Sequence, residues 1–355
     1  MLVATAIFFA CFFAMNIGAS GTAASIGPAY GGGAIRKKWV AVCLVGIVAL
    51  FGAIFGGGEV TKTMSEGVIP QDIVTHTISV LIIASSAAVL FFSNKMGIPL
   101  STSEVTVGSI IGVGIAFGKV YILQVIGIVS VWFVLPITAY WFAKGLDRLV
   151  HYCENRWLKA YTKRKWYQRL LIIFLIFFGC YEGFAAGMNN VANAIGPLIA
   201  SDILSAQQGI LLGAIFMCLG AMLLGGPVLE TNGKKITKLS LVQGSVVSFT
   251  SGSLVIIASL FGIPVPLTQA TTMSIIGIGS NNEEKHTIWQ HPVVKRILLV
   301  WVLSPLIAMA VSYSLVQLFV FGFYAPFIVC ISSFILLFFY KTLKHGNIIN
   351  DTNKL

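Results

Sequence analysis

Long apolar segments follow one another along nearly the whole chain. A helix needs roughly 20 apolar residues to cross a bilayer, and about ten or eleven segments approach that length. The clearest are residues 39–58, 73–93, 121–143, 208–229, 239–261, 296–319 and 323–340. Because 57% of the residues are hydrophobic and only 10% are charged, the sequence predicts an all-α integral membrane protein without a soluble domain. The N-terminal run MLVATAIFFACFFAMNIGASG lacks the charged start of a signal peptide, so we interpret it as a transmembrane segment.

The basic residues lie in clusters between the apolar segments. The formal net charge is +11, and eight Lys and Arg residues fall between Lys144 and Arg169. Ten of the others cluster at 36–38, 234–238, 295–296 and 341–344. Basic loops stay on the cytoplasmic side of a membrane, so these clusters indicate orientation in the cytoplasmic membrane and argue against a nucleic-acid partner.

Three blocks of sequence recur in the same order. GASGTAASIGP at 18–28 aligns with GMNNVANAIGP at 187–197, and GAIFGGGEVTKT at 52–63 aligns with GAMLLGGPVLET at 220–231. GIPLSTSEVTVGSIIGVG at 97–114 aligns with GIPVPLTQATTMSIIGIG at 262–279. The offsets are 169, 168 and 165 residues. Shared order and a near-constant offset indicate an internal repeat rather than chance similarity between Gly-rich apolar segments.

The basic clusters predict that the two halves are inverted relative to each other. With Arg36–Lys38 inside, the N-terminus lies outside, as does the loop with Glu59, Glu66 and Asp72. Five crossings then bring the chain inside at Lys144, and an odd number makes the second copy start on the opposite side.

We therefore predict about eleven transmembrane segments in two inverted-topology repeats with broken or re-entrant helices, which place a shared site near the membrane midplane. The C-terminus is predicted to be cytoplasmic. The expected units are a first repeat, a cytoplasmic basic linker, a second repeat, and an extra C-terminal helix with its tail: 1–143, 144–169, 170–320 and 321–355.

Polar residues interrupt the apolar sequence in the repeated blocks. GMNNVANAIGP carries three asparagines within five positions, between two apolar runs. Buried amides are costly without partners, and broken helices beside glycines present free N–H groups that suit a small anion. The alternative is close helix packing through small residues. The predicted anion-binding residues are Ser20, Gly21, Ser101, Thr102, Ser103, Asn189, Asn190, Asn193, Thr268 and Thr271.

Two carboxylates, Glu104 and Glu182, lie inside predicted spans. Ionisable residues within a membrane are expensive and usually functional, so both are candidates for coupling a proton or another cation to transport. The alternative is a structural role, in which each carboxylate caps a broken helix or pairs with Lys95. No sequence pattern indicates a metal or a cofactor.

At these motifs the sequence resembles the inorganic phosphate transporter (PiT) family, and more closely its bacterial sulfate permease branch. The family repeats a GANDVANS-like signature, which reads GASGTAAS at 18–25 and GMNNVANA at 187–194. Its GxPVSTTH-like signature reads GIPLSTSE at 97–104 and GIPVPLTQ at 262–269. The resemblance covers nearly the whole chain. It implies two inverted repeats, an embedded anion site at their interface, cation coupling and a homodimer.

The departures from those signatures concern the substrate. The signature aspartate is replaced by Gly21 in one copy and by Asn190 in the other, and the final histidine by Glu104 and Gln269. Phosphate keeps an O–H that a carboxylate can recognise, whereas sulfate only accepts hydrogen bonds and is repelled by a carboxylate. We therefore expect sulfate as the substrate. Thiosulfate and phosphate remain alternatives, as does sodium in place of a coupling proton.

An enzyme and a passive anion channel are the alternatives from other classes of function. An enzyme would need a catalytic arrangement, but the chain has neither HExxH nor GxSxG, and no close carboxylate pair or nucleophile with histidine inside the spans. A passive anion channel would also use neutral donors. It would need neither embedded carboxylate and would pass its anion at any pH.

Overall fold

The structure, a computed structural model, describes residues 1–95, 100–161, 164–235, 239–281 and 289–332. These residues form helices joined by short loops. The first half contains α1 (Leu2–Ile17), a π-helical turn (Gly18–Thr22), α2 (Ala23–Ser25), α3 (Gly27–Gly31), α4 (Lys38–Gly56), α5 (Gly58–Glu66), a 3-10 turn (Gln71–Ile73), α6 (His76–Lys95), α7 (Thr102–Phe117), α8 (Ile122–Cys153) and a π-helical turn (Glu154–Leu158). The second half contains α9 (Lys165–Ala200), α10 (Ala206–Leu224), α11 (Gly226–Glu230), a π-helical turn (Thr231–Lys235), α12 (Leu241–Leu260), α13 (Leu267–Gly279) and α14 (Pro292–Phe319).

Eight helical segments of the described residues are long and apolar enough to cross a membrane, which confirms a multi-pass membrane protein. Helices α7 and α13 are shorter. The count of about eleven segments therefore stays a prediction. The proposed C-terminal helix and tail begin within the structure, but residues 333–355 lie outside its described part.

The two halves contain equivalent helices in the same order, and these pack in equivalent pairs. Helix α4 packs against α9, and α1 packs against α10. Helix α6 packs against α1, and α12 against α9. Helix α7 packs against α14, and α13 against α8. Each contact thus has a counterpart in which the halves are exchanged, as a two-fold relation between them requires.

Equivalent glycines in the two halves also make equivalent close contacts. A Cβ on Gly18 would collide with the carbonyl oxygen of Met217, and a Cβ on its equivalent Gly187 would collide with the carbonyl oxygen of Ala49. Met217 and Ala49 themselves differ by 168 positions, the offset of the block that follows Gly18 and Gly187. These glycines therefore let α1 approach α10, and α9 approach α4, with backbones in contact.

Basic residues from three of the clusters, 36–38, 144–169 and 234–238, lie at one end of the molecule. Lys38 pairs with Glu230 at 2.8 Å, and the Lys234 ammonium lies 4.2 Å from the centre of the Tyr30 ring. Asn281 donates to the carbonyl oxygen of Lys144 at 3.0 Å, and Ser240 precedes α12 close to Gly32. We call this the basic end. Helix α9 leaves it at Lys165 and, with 36 residues, reaches about 54 Å further to what we call the opposite end.

Helices α6 and α7 form a hairpin. Asp72, before α6, pairs with Lys119, after α7, at 2.6 Å, so the two outer ends lie together. Ser79 Oγ, in the first turn of α6, donates to the carbonyl oxygen of Pro197 near the end of α9 at 2.8 Å, which places them at the opposite end of the molecule. The five crossings predicted before Lys144 do not describe this arrangement, because α6 and α7 are not two successive crossings. Their hairpin returns the chain to the end from which it started. Helices α12 and α13 form the equivalent hairpin from the basic end. The segment from α1 to α3, helix α4 and helix α8 then run from end to end. These are three crossings instead of five, and an odd number still makes the second half start on the opposite side.

Candidate functional site

The tips of the two hairpins meet α9 and the first π-helical turn in the interior of the protein. Two pairs of repeat-equivalent residues contact each other there. Gln269 Nε2 donates to Glu104 Oε1 at 2.7 Å, and a Cβ on Gly21 would lie only 2.6 Å from Asn190 Nδ2. Residues related by a two-fold axis touch each other only where they lie close to that axis. The site therefore lies where the two halves meet.

Asn189 ties the second hairpin to α9. Its Nδ2 donates to Ser259 Oγ at 3.0 Å and to the carbonyl oxygen of Ile263 at 3.1 Å. Its Oδ1 accepts from the backbone N–H of Val265 at 3.1 Å and from Ser103 Oγ at 3.3 Å. Both ends of the amide are thus used. Asn189 holds the hairpin tip in place through hydrogen bonds that a non-helical backbone would otherwise lack.

Helix α7 begins beside the other two asparagines. Ser101 caps its N-terminus, because Ser101 Oγ accepts from the backbone N–H of Glu104 at 3.2 Å. Thr102 Oγ1 donates to Asn190 Oδ1 at 3.0 Å and accepts from Asn193 Nδ2 at 3.1 Å. Ser103 Oγ also accepts from Asn193 Nδ2, at 3.2 Å. The first turn of α7 and the middle of α9 are thereby joined by a chain of neutral hydrogen bonds.

Several polar atoms in this buried cluster have no partner among the described residues. They include Asn190 Nδ2 and Thr268 Oγ1, and both residues are 1% exposed. A buried donor without a partner is costly and uncommon, and one explanation is a ligand that accepts from it. Gly21 faces the amide nitrogen of Asn190, and no aspartate would fit there without moving that amide.

Glu182 occupies a neighbouring position on α9 and is fully buried. Its Oε1 accepts a short hydrogen bond from Thr271, and the hydroxyls of Ser248 and Ser251 lie beside the same carboxyl group. Thr271 therefore faces Glu182 rather than the asparagines. Glu104, the other carboxylate, contacts Gln269. Among the described residues it forms no ion pair with Lys95.

The structure brings most of the predicted site residues together. Ser20 Oγ donates to the carbonyl oxygen of Leu100 at 3.1 Å, so the π-helical turn also holds the tip of the first hairpin. Sequence reasoning missed Gln269 and Ser259 as members of the cluster. Gln269 had a signal, because it occupies the position equivalent to Glu104 in the aligned blocks, whereas Ser259 lies in an ordinary apolar stretch.

An apolar groove of about 370 Å³ lies elsewhere, between α8, α9 and α12. Aliphatic and aromatic side chains such as Val150, Phe178 and Phe249 form nearly all of its lining. It lacks the convergent donors of the central cluster, which we regard as the candidate site.

A model of the phosphate transporter family matches residues 17–312. The chain belongs to the phosphate transporter family. That match includes both copies of each repeated motif, and so confirms the resemblance inferred from them.

Two comparisons extend the family assignment. The chain is 47% identical over 327 residues to the sulfate permease CysP of Bacillus subtilis (strain 168), covering 92% of this chain and 91% of the relative. Its structure resembles that of a protein described as the sodium-dependent phosphate transporter, with a TM-score of 0.79 and 22% identity, over 90% of this chain and 100% of that one. The second comparison establishes the all-helical transporter fold.

Proposed function

We propose that this protein imports sulfate across the cytoplasmic membrane by secondary active transport. The anion would bind where the two halves meet, among Asn190, Thr102, Thr268 and the hairpin tips. The observation that carries the proposal is the set of buried neutral donors, in which Asn190 Nδ2 and the Thr268 hydroxyl are unpaired. Asn190 stands where the family signature has an aspartate. The similarity to a sulfate permease supports the same substrate.

Hydrogen-bonding chemistry favours sulfate at such a site. Sulfate carries no proton at neutral pH, so it needs donors and is repelled by carboxylates. Gly21 and Asn190 supply no charge, and Asn190 supplies an amide N–H. Hydrogen bonds from neutral groups to an anion are stronger than those between neutral groups, and the surrounding apolar packing would strengthen them further.

The proposed orientation in the membrane rests on the basic residues, and the proposed repeats rest on the equivalent contacts of the two halves. The basic end would face the cytoplasm and the N-terminus the exterior. Residues 1–143 and 170–320 would form the inverted repeats, and 144–169 the cytoplasmic linker. Glu104 and Glu182 would couple transport to cation entry, with a proton as the favoured ion. A homodimer and a surrounding lipid bilayer complete the proposal.

Phosphate transport with sodium coupling is the second candidate. Its support is the family itself and the described activity of the structural relative. Against it stands the loss of both signature aspartates. Thiosulfate shares the proton-free chemistry of sulfate and would fit the same donors.

Uptake into proteoliposomes separates these candidates. We expect the purified full-length protein to accumulate labelled sulfate under an imposed pH gradient without sodium, and to bind sulfate more tightly than phosphate at neutral pH. Vesicles without protein provide the background. Tighter binding of phosphate, or uptake that requires a sodium gradient, would refute sulfate specificity or proton coupling respectively. Sulfate equilibration that ignores every cation gradient would indicate a channel.

A further inference from the structure

The two sides of the central cluster are related by the exchange of halves, but their side chains differ in polarity. Towards the basic end lie Thr22, Thr272 and Asn232, whose side chains are at most 1% exposed. The oxygens of both threonines and both polar atoms of Asn232 have no hydrogen-bond partner among the described residues. Three buried side chains without partners in one region are unusual for a membrane protein interior.

The equivalent positions towards the opposite end are all apolar. In the aligned blocks Thr22 corresponds to Val191 and Thr272 to Val107. Asn232 corresponds to Met64, one position beyond the second block. Val191, Val107 and Met64 are all buried, at 1%, 0% and 3% exposure.

The backbone geometry confirms that these positions are equivalent. A Cβ on Gly27 would lie 2.9 Å from the Cβ of Asn232, and a Cβ on its equivalent Gly196 would lie 2.7 Å from the Cβ of Met64. The same close contact therefore exists on both sides of the cluster. Only the side chain that enters it differs, an amide on one side and a thioether on the other.

The three polar residues lie in elements that contact one another. Helix α2, which follows Thr22, contacts both α13, which carries Thr272, and the π-helical turn that carries Asn232. Helix α13 also contacts the π-helical turn of Gly18–Thr22, next to Gly21 in the central cluster. Beyond Asn232, Lys234 is exposed over the Tyr30 ring at the basic end. The unpaired groups thus extend from the central cluster towards a basic surface.

We propose that Thr22, Thr272 and Asn232 form a second, transient oxyanion site on the route between the central cluster and the basic end. This inference rests on the proposed function. Two hydroxyls and an amide can donate to an anion that only accepts, and no carboxylate belongs to the set. Exposed lysines at the mouth would raise the local concentration of a dianion. On the opposite route Met64, Val107 and Val191 seal the interior by apolar packing.

The asymmetry also favours one direction of opening. Closing the basic-end route leaves donors unpaired, whereas closing the opposite route buries only apolar groups. Water or an anion can reach and satisfy the three residues when the basic-end route opens. Without substrate, the protein should therefore open preferentially at the basic end.

The test compares Thr22→Val with Thr22→Ser in full-length protein reconstituted into proteoliposomes. Valine keeps the shape and matches Val191, and serine keeps the hydroxyl. We expect Thr22→Val and Asn232→Met to bind labelled sulfate within about twofold of the unsubstituted protein, but to exchange it at least tenfold more slowly. Thr22→Ser should exchange normally. The conservative control on the opposite route, Met64→Leu, should keep both binding and exchange.

Equal rates of sulfate exchange by Thr22→Val and Thr22→Ser would overturn the second site. So would a fall in the sulfate affinity of Thr22→Val as large as the fall in its exchange rate. If Asn232→Met does not fold, labelling of Asn232→Cys replaces it. Without sulfate, that cysteine should react from the basic end with an anionic methanethiosulfonate, above the background of the unsubstituted protein, and at least tenfold faster than Met64→Cys reacts from the opposite end. Equal rates would overturn the site. Absence of sulfate exchange by the unsubstituted protein would instead refute the proposed function.

Discussion

Replacing Asn189 and Asn190 separately with alanine should have opposite consequences, although the two residues are adjacent. Asn189 makes four hydrogen bonds and leaves no atom of its amide free. Asn190 accepts one, from Thr102, and its Nδ2 has no partner. We therefore expect Asn189 to contribute mainly to stability and Asn190 mainly to binding of the anion.

The contacts give the magnitudes. Asn189→Ala leaves the Val265 N–H and the Ile263 carbonyl unpaired, at about 1–3 kcal/mol each, or about 2–6 kcal/mol together. Asn190→Ala leaves one buried donor unpaired, the Thr102 hydroxyl, at about 1–3 kcal/mol. The amide N–H of Asn190 would donate to a charged ligand, a bond of about 1.5–3 kcal/mol, which corresponds to about 10- to 150-fold in affinity.

Thermal unfolding in detergent, with and without sulfate, measures both quantities. With the unfolding entropy per residue of globular proteins, Asn189→Ala should lower the midpoint by roughly 3–8 °C, and Asn190→Ala by about half as much, roughly 1–4 °C. Sulfate should stabilise Asn189→Ala but not Asn190→Ala at the same concentration. The reasoning fails if Asn190→Ala is destabilised as much as Asn189→Ala, or if it keeps its sulfate affinity.

Three further outcomes are expected. Asn190→Asp should bind sulfate more weakly than the unsubstituted protein in equilibrium binding, because it presents a carboxylate to an anion; unchanged affinity would mean that position 190 does not face the substrate. Cysteines at Asp72 and within 144–169 should be labelled by impermeant reagents from opposite sides of the membrane, and labelling from one side would refute the inverted topology. Gly187→Ala should lower the thermal midpoint because its Cβ would collide with the backbone of α4, whereas Gly209→Ala, with 3.4 Å available to its nearest neighbours, should not.

The sequence was sufficient to predict the fold class because hydropathy and internal repetition are global properties. The length of an apolar segment indicates the length of a helix, and repeated blocks indicate equivalent helices. Neither inference depends on which residues the helices contact. Re-entrant helices were predicted, but the pairing of α6 with α7 in one hairpin was not, since hydropathy does not show whether an apolar segment reaches the far side. That information lies in the pairing of Asp72 with Lys119, which is a contact between loops 47 positions apart.

The different roles of neighbouring site residues could not be predicted either, because they also depend on contacts between distant parts of the chain. Asn189 and Asn190 are equally polar in the sequence, but adjacent residues on a helix point about 100° apart, so one meets the second hairpin and the other meets Gly21. Thr271 was assigned to the anion site because it belongs to a hydroxyl-rich motif. Its hydroxyl contacts Glu182, which comes from a distant part of the chain.

The expected coupling of sulfate transport to proton entry can be tested at the contact between Glu104 and Gln269. A dianion that enters a cell with about 100 mV inside negative climbs roughly 4.6 kcal/mol, at about 2.3 kcal/mol per charge, and two protons would offset this. Glu104 and Glu182 are the candidate carriers. Glu104 is the stronger one, because it begins α7 beside Thr102 and Ser103, and a dianion nearby would favour its protonated form. Protonation and anion binding would then promote each other.

The contact between Glu104 and Gln269 supplies a matched test of this mechanism. Glu104→Gln keeps the shape of the pair but removes its titratable group, and the double variant Glu104→Gln with Gln269→Glu moves the carboxyl group to the equivalent position of the other repeat. Glu104→Gln should lose accumulation of labelled sulfate under an imposed pH gradient and keep exchange of sulfate across the membrane. Because the two side chains meet near the two-fold axis, at 2.7 Å, the double variant should recover part of that accumulation. Normal accumulation by Glu104→Gln would mean that the carboxylate only joins the two hairpins, since glutamine can make the same hydrogen bond to Gln269.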